Sequence, residues 1–117
     1  MENKKSLSDL NGRVKAVNDA MYVLSGRWKI AVFASLCFYN KRRFADLLMD
    51  IKGISNKMLS KELKELEMNR LVKRTILDTR PITVQYELTE YAQKLKVVIQ
   101  DLSLWGSEHR QEIFRNR

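Results

Sequence analysis

Lys57, Lys61 and Lys64, interleaved with Ser55, Asn56 and Ser60, are the side chains here whose types and spacing most clearly suit a chemistry. Lysine pairs with phosphates and guanine acceptors, asparagine with adenine, and serine with either, so the group fits contact with a nucleic acid. Catalytic chemistry has far less to work with. Cys37 is the single cysteine and His109 the single histidine. No internal disulfide can form, and neither a cysteine-rich zinc site nor a His-based triad can be assembled. With no nucleophile beside a base and no glycine-rich phosphate loop, neither an enzyme nor a cofactor or metal site is expected.

The charge is concentrated where these residues lie. The chain carries +8 at neutral pH, with a pI near 9.8. Residues 27–74 hold 12 Lys/Arg against 5 Asp/Glu, a net of +7, while the remainder holds 10 against 9. A solvated surface mixes the signs more evenly, so the asymmetry favours one anion-binding face. Lys41, Arg42 and Arg43 form a second cationic cluster within this stretch. Lys52 and Arg74 read equally well as solvated or paired cations and rank behind the others.

Hydrophobic periodicity supplies the elements that must position these groups. Val17, Ala20, Met21 and Leu24 predict a first helix over about 14–24, broken at Ser25-Gly26. Residues 28–39 are apolar with no wide polar face, which predicts a central buried helix. Asn40-Lys41-Arg42 reads as a turn. A short helix over 43–51 places Phe44, Leu47 and Leu48 on one face, and Lys52-Gly53-Ile54 breaks it. Ser55 then caps a fourth helix reaching about Met68, without a full capping box because position 58 is Met. In that helix Leu59, Leu63 and Leu66 form one apolar stripe, with the lysines mostly off it. Glu62, Glu65 and Glu67 cluster toward the later end, which would point away from a phosphate backbone. An ordinary amphipathic surface helix with Lys/Glu pairs is the alternative.

Residues 71–77 and 83–88 have the composition of strands, and Asp78-Thr79-Arg80-Pro81 has turn chemistry. Together they predict a β-hairpin with Arg80 near its tip. A last helix, opened by Thr89-Glu90 and running over about 89–113, carries Tyr91, Leu95, Val98, Leu102 and Trp105 in a 4-3-4-3 spacing. Ile99, Val97 and Leu104 widen this stripe beyond what a small body covers, and a subunit interface would absorb the excess. The order of elements is that of a helix-turn-helix (about 43–68) followed by a wing (about 71–88). The expected fold is therefore mainly α with a small β-hairpin, in one domain spanning 1–117 with its core over 14–106.

The motifs in this order are Leu24-Ser25-Gly26-Arg27-Trp28-Lys29, Arg43-Phe44-Ala45-Asp46-Leu47, Gly53-Ile54-Ser55-Asn56-Lys57-Met58-Leu59 and Leu63-Lys64-Glu65-Leu66-Glu67. They continue with Leu71-Val72-Lys73-Arg74, Val84-Gln85-Tyr86-Glu87-Leu88-Thr89 and Leu102-Ser103-Leu104-Trp105-Gly106. In these the chain resembles the HxlR-type winged helix-turn-helix regulators of bacteria, which are similar to the MarR type. The resemblance implies a homodimeric transcriptional regulator, with helix 55–68 in the major groove and the wing at the minor groove. It also implies dimerisation through the first and last helices. Two departures stand out. Many such proteins carry Cys-Pro at the head of the first helix, where this chain has Lys15-Ala16, so thiol sensing there does not carry over. Cys37 lies instead in the apolar helix, as a small core residue. Asn69-Arg70 stands where a glycine often precedes the wing, and Asn69 is the residue better suited to a left-handed backbone.

The expectation is a regulator that binds double-stranded DNA as a homodimer on an inverted-repeat operator. Ser55, Asn56, Lys57, Ser60 and Lys61 are the base-edge candidates. Lys57, Lys61, Lys64, Lys41, Arg42 and Arg43 supply phosphate charge, and Arg80 a minor-groove or backbone contact. Val17, Met21, Tyr91, Leu95, Val98, Leu102 and Trp105 are the dimer-interface candidates. A winged-helix module that binds protein or RNA is the alternative. Tyr22, Trp28, Tyr91 and Trp105 could line a cavity for a small-molecule effector between the dimer helices and the DNA-binding body, although such residues are more often plain core. No apolar run is long enough to span a bilayer, and Met1 to Ser6 lack a signal-peptide core, so a cytoplasmic location is expected.

Overall fold

Phe33, Leu36, Leu47, Leu59, Leu63 and Leu66 are almost completely removed from solvent and come from three different helices. Their packing sets the architecture of the computed structural model, which describes residues 6–115. The chain runs α1 (Leu7–Val23), α2 (Lys29–Tyr39), β1 (Lys41–Arg43), α3 (Phe44–Asp50) and α4 (Asn56–Met68). It continues through β2 (Val72–Leu77) and β3 (Thr83–Leu88) to α5 (Gln93–Phe114). The residues Met1 to Lys5, read above as lacking a targeting signal, lie outside the described part.

The apolar helix predicted over 28–39 is α2, and it is central, with Val32, Phe33, Ser35 and Leu36 buried. Its outer side is less covered than expected, since Ile30 and Phe38 remain exposed. Helices α3 and α4 pack on it through Leu47, Leu59, Leu63 and Leu66. The 51–55 joint between them buries Ile51 and Ile54 and passes through Gly53 at φ 91°. A left-handed residue there is cheap only for glycine. Ser55 caps α4 as expected, its hydroxyl accepting from the Met58 amide at 3.1 Å.

The β-hairpin is present, but it belongs to a three-stranded antiparallel sheet in the order β1-β3-β2. The predicted turn at residues 40–42 is thereby corrected. Lys41, Arg42 and Arg43 pair with Glu87, Tyr86 and Gln85 along the free edge of β3. A three-residue strand is too short to show periodicity, and its partner lies more than forty residues away in sequence.

Three further boundaries differ from expectation. Helix α1 begins at Leu7, because Ser6 and Asp9 form a capping box in which each side chain accepts from the other's amide. Thr89 does not open α5 directly. Its hydroxyl accepts from the Ala92 amide at 3.1 Å and donates to the Arg70 carbonyl at 2.7 Å, tying the helix start to the start of the wing. At the end of α4, Arg70 takes the left-handed backbone (φ 62°) that was assigned to Asn69, which caps the helix at φ −84°. Asn69 is held there by its own side chain, whose amide donates to the Glu65 carbonyl at 2.9 Å.

Helices α1 and α5 bury no residue completely. Both carry long apolar stripes into solvent, and the molecule extends over 65 × 41 × 23 Å.

Candidate nucleic-acid interface

The amphipathic character of α4 is realised in three dimensions. Leu59, Glu62, Leu63 and Leu66 face inward, while Ser55, Asn56, Lys57, Ser60, Lys61 and Lys64 are all exposed. Among the described residues, Lys57, Lys61 and Lys64 have no carboxylate within ion-pair distance. Three ammonium groups thus stand on one solvent-facing surface with neutral donors and acceptors between them. That arrangement can neutralise phosphates while Asn56 and Ser60 reach toward base edges.

The glutamates of the same helix behave differently from the expectation of a merely distant acidic end. Lys29 of α2, 8% exposed, donates to Glu62 Oε1 at 2.9 Å and also pairs with Glu65. Burial works to lower the Lys29 pKa, but hydrogen bonds to Glu65 and Glu62 outweigh it and the ammonium is held above its ordinary value. The same hydrogen bond from Lys29 pulls the Glu65 carboxyl below the usual range. Residue-type reasoning had no means to find this cluster, because Lys29 lies in an otherwise apolar helix and its partners are more than thirty residues away.

The second cationic cluster is divided by strand alternation. Lys41 and Arg43 are exposed on the outer face of the sheet. Arg42 shares the inner face with Tyr86. Its guanidinium donates to both oxygens of Asp50, at 2.8 and 2.5 Å, and lies over the Tyr39 ring at 4.0 Å. Ser35 donates to the same carboxylate at 2.7 Å. Arg42 therefore fastens β1 and α2 to the end of α3, and its charge is already used.

Arg74, ranked low above, gains a clear position. It lines a hollow with Ser60, Lys64, Glu67 and Tyr86, where β2 meets α4, so the wing adds a cation beside Lys64, with the Glu67 carboxylate on the same hollow. Arg80 is exposed beyond the far end of the β2–β3 ladder, at the hairpin tip.

The apolar candidates divide in the same manner. Leu95 packs partly against the core. Val17, Met21, Tyr91, Val98, Leu102 and Trp105 are at least half exposed on α1, on α5 and just before it, with Trp105 stacked on His109. The four aromatics considered for an effector lie in different surroundings. Tyr91 lines an apolar hollow with Ala20, Leu71 and Val98, Tyr22 borders another, and Trp28 packs against the core. Cys37 is half-buried, and burial pushes its thiol up despite the nearby Lys96, which suits an inert packing residue.

A buried three-helix core, a helix-turn-helix and an antiparallel wing together define a winged helix-turn-helix protein. The chain belongs to the HxlR-like helix-turn-helix family, whose model matches residues 23–114. An HTH-type transcriptional regulator of Halalkalibacterium halodurans is 33% identical over 110 residues, covering 90% of this chain and 97% of that one. The HTH-type transcriptional regulator YodB of Bacillus subtilis is 34% identical over 92 residues, covering 79% and 81%. A solved MarR-family transcriptional regulator from Enterococcus faecalis superposes with a TM-score of 0.80 at 28% identity, covering 88% and 93%. The protein is accordingly a transcriptional regulator of the helix-turn-helix class.

Proposed function

We propose that the protein binds double-stranded DNA sequence-specifically, as a homodimer on an inverted repeat, in the cytoplasm where bacterial DNA lies. The observation that carries this reading is the outer surface of α4, where three unpaired lysines flank Asn56 and Ser60 above a fully buried leucine stripe. In this reading Ser55, Asn56, Lys57, Ser60 and Lys61 face base edges in the major groove. Lys64 and Arg74 follow the phosphates beside them, Lys41 and Arg43 contribute weaker backbone charge, and Arg80 reaches the minor groove or backbone. Arg42 is left out, since phosphate would have to displace a two-pronged carboxylate contact.

The homodimer is supported by α1 and α5, two long helices without a fully buried residue between them. A stripe holding Val17, Met21, Val98, Leu102 and Trp105 is the kind of surface that a second copy covers under two-fold symmetry.

The test is a gel shift on the DNA upstream of the protein's own gene, with random competitor and a salt titration. Binding should be retained against competitor and should fall steeply with salt. Lys61→Ala should weaken it by about 1–3 kcal/mol if Lys61 reads a base. A loss equal across all sequences, with a shallower salt slope, would make Lys61 a phosphate contact, and no loss would remove it from the site. Binding to RNA but not duplex DNA would move the assignment to the alternative class.

A further inference from the structure

Counted by residue type, α4 carries no net charge, because Lys57, Lys61 and Lys64 are matched by Glu62, Glu65 and Glu67. An electrically neutral helix gains little from approaching a phosphate backbone. In the fold, however, two of its three carboxylates meet a cation contributed from outside the helix. Lys29 pairs with Glu62 and Glu65 from α2, and both Lys29 and Glu62 are sealed from solvent, at 8% and 5% exposure. Glu65 sits one helical turn beyond Lys61, and the Lys61 charge is already felt there. Were Lys29 absent, Glu65 would be free to turn toward Lys61, which lies within pairing reach at the i, i+4 spacing. Glu62 would be left as a lone buried carboxylate, which is strongly disfavoured and would drive it outward.

We propose that Lys29 is a positioning residue for DNA binding: it holds Glu62 and Glu65 toward α2 and thereby leaves Lys57, Lys61 and Lys64 uncompensated on the outer face. The inference rests on the DNA-binding reading above and adds to it a residue that does not touch the nucleic acid. Lys29 thus does for α4 what Arg42 does for α3, with the difference that its partners lie on the helix that would enter the groove.

The experiment measures fluorescence anisotropy of a labelled mixed-sequence duplex of about three helical turns at low salt, with circular dichroism confirming the fold of each full-length variant. K29Q, which keeps a hydrogen-bonding group but no charge, should bind about tenfold more weakly than the natural protein. The triple variant K29Q/E62Q/E65Q should recover to within about twofold, and K29R should bind like the natural protein. E65Q alone should change affinity by less than about twofold, because Lys29 already holds that carboxylate toward α2 and away from the outer face. Folded K29Q binding as tightly as the natural protein overturns the proposal. It is equally overturned if the triple variant stays as weak as K29Q, since the loss would then come from packing or direct contact. Should K29Q not fold, E65Q still decides, because a several-fold gain in affinity would mean that Glu65 faces the DNA uncompensated. A natural protein that binds no duplex overturns the DNA reading itself, whereas equally tight binding by the natural protein and K29Q removes only the role of Lys29.

Discussion

At the scale of single residues, Arg42 and Asp50 show how a charge in a basic stretch becomes structural. Three adjacent cations look equivalent in the sequence, but a strand sends its middle side chain to the face opposite its neighbours. Arg42 therefore meets Asp50, with both side chains mostly buried, and Ser35 completes the carboxylate's contacts. The hydrogen bond from Arg42 holds the Asp50 carboxyl below its ordinary value of 3.8, against the opposing effect of burial and with help from Ser35. A carboxyl depressed in the folded state contributes stability that is fully present above its unfolded pKa and is lost as pH falls through the folded one. Asp50→Asn should accordingly cost about 1–3 kcal/mol near neutral pH. Compared by urea unfolding, the gap between the two proteins should close as pH drops below about 4. A gap of constant size down to pH 3, in the same assay, would mean that packing and not charge holds this contact.

At the scale of elements, the junction between α4 and β2 is the place where local preference gives way. Asn69 has the side chain better suited to a left-handed backbone, yet Arg70 adopts it. The choice is made by the wing. The Arg70 carbonyl accepts from the Thr89 hydroxyl, and the Leu71 amide returns to the Leu66 carbonyl at 3.0 Å, so the chain must turn at residue 70 to bring Leu71 and Val72 into the core. Arg70→Gly should relieve the strained conformation and stabilise the fold by about 0.5–1 kcal/mol. Thermal unfolding would show this as a higher midpoint, and a lower one would mean that the arginine side chain contributes more than its backbone costs. The same junction places Arg74 beside Ser60 and Lys64, so its geometry shapes the cationic surface as well as the core.

At the scale of the whole molecule, function in the proposed reading depends on two copies. One α4 offers a short stretch of contacts, whereas a symmetric pair presents two recognition helices roughly 34–36 Å apart, one turn of DNA. The apolar face that would join them is exposed in the single chain, with Leu102 near its centre on α5. Leu102→Asp places a charge on this face without disturbing the core. Sedimentation should show it as a monomer, and its affinity for the inverted repeat should fall by about tenfold or more as the second half-site is lost. If the variant sediments like the natural protein, α5 is not the joining element.

Much of this molecule was legible in its residues because the relevant signals act over short spans. The leucine stripe of α4, the Ser55 cap, the alternation in β3 and the 4-3-4-3 spacing before and along α5 are all statements about neighbours within a few positions. Even the early start of α1 was written locally, in Ser6 and Asp9, although no apolar periodicity drew attention to it. What the sequence by itself determined was therefore the order of the helices and the hairpin and which surface of α4 is polar. Only the tertiary structure decided which charges remain available. Strand β1, the capture of Arg42 by Asp50, the left-handed turn at Arg70 and the sharing of Lys29 between Glu62 and Glu65 all depend on partners brought together by packing. Periodicity reports which side of an element is buried, but it cannot report which opposite charge is waiting there.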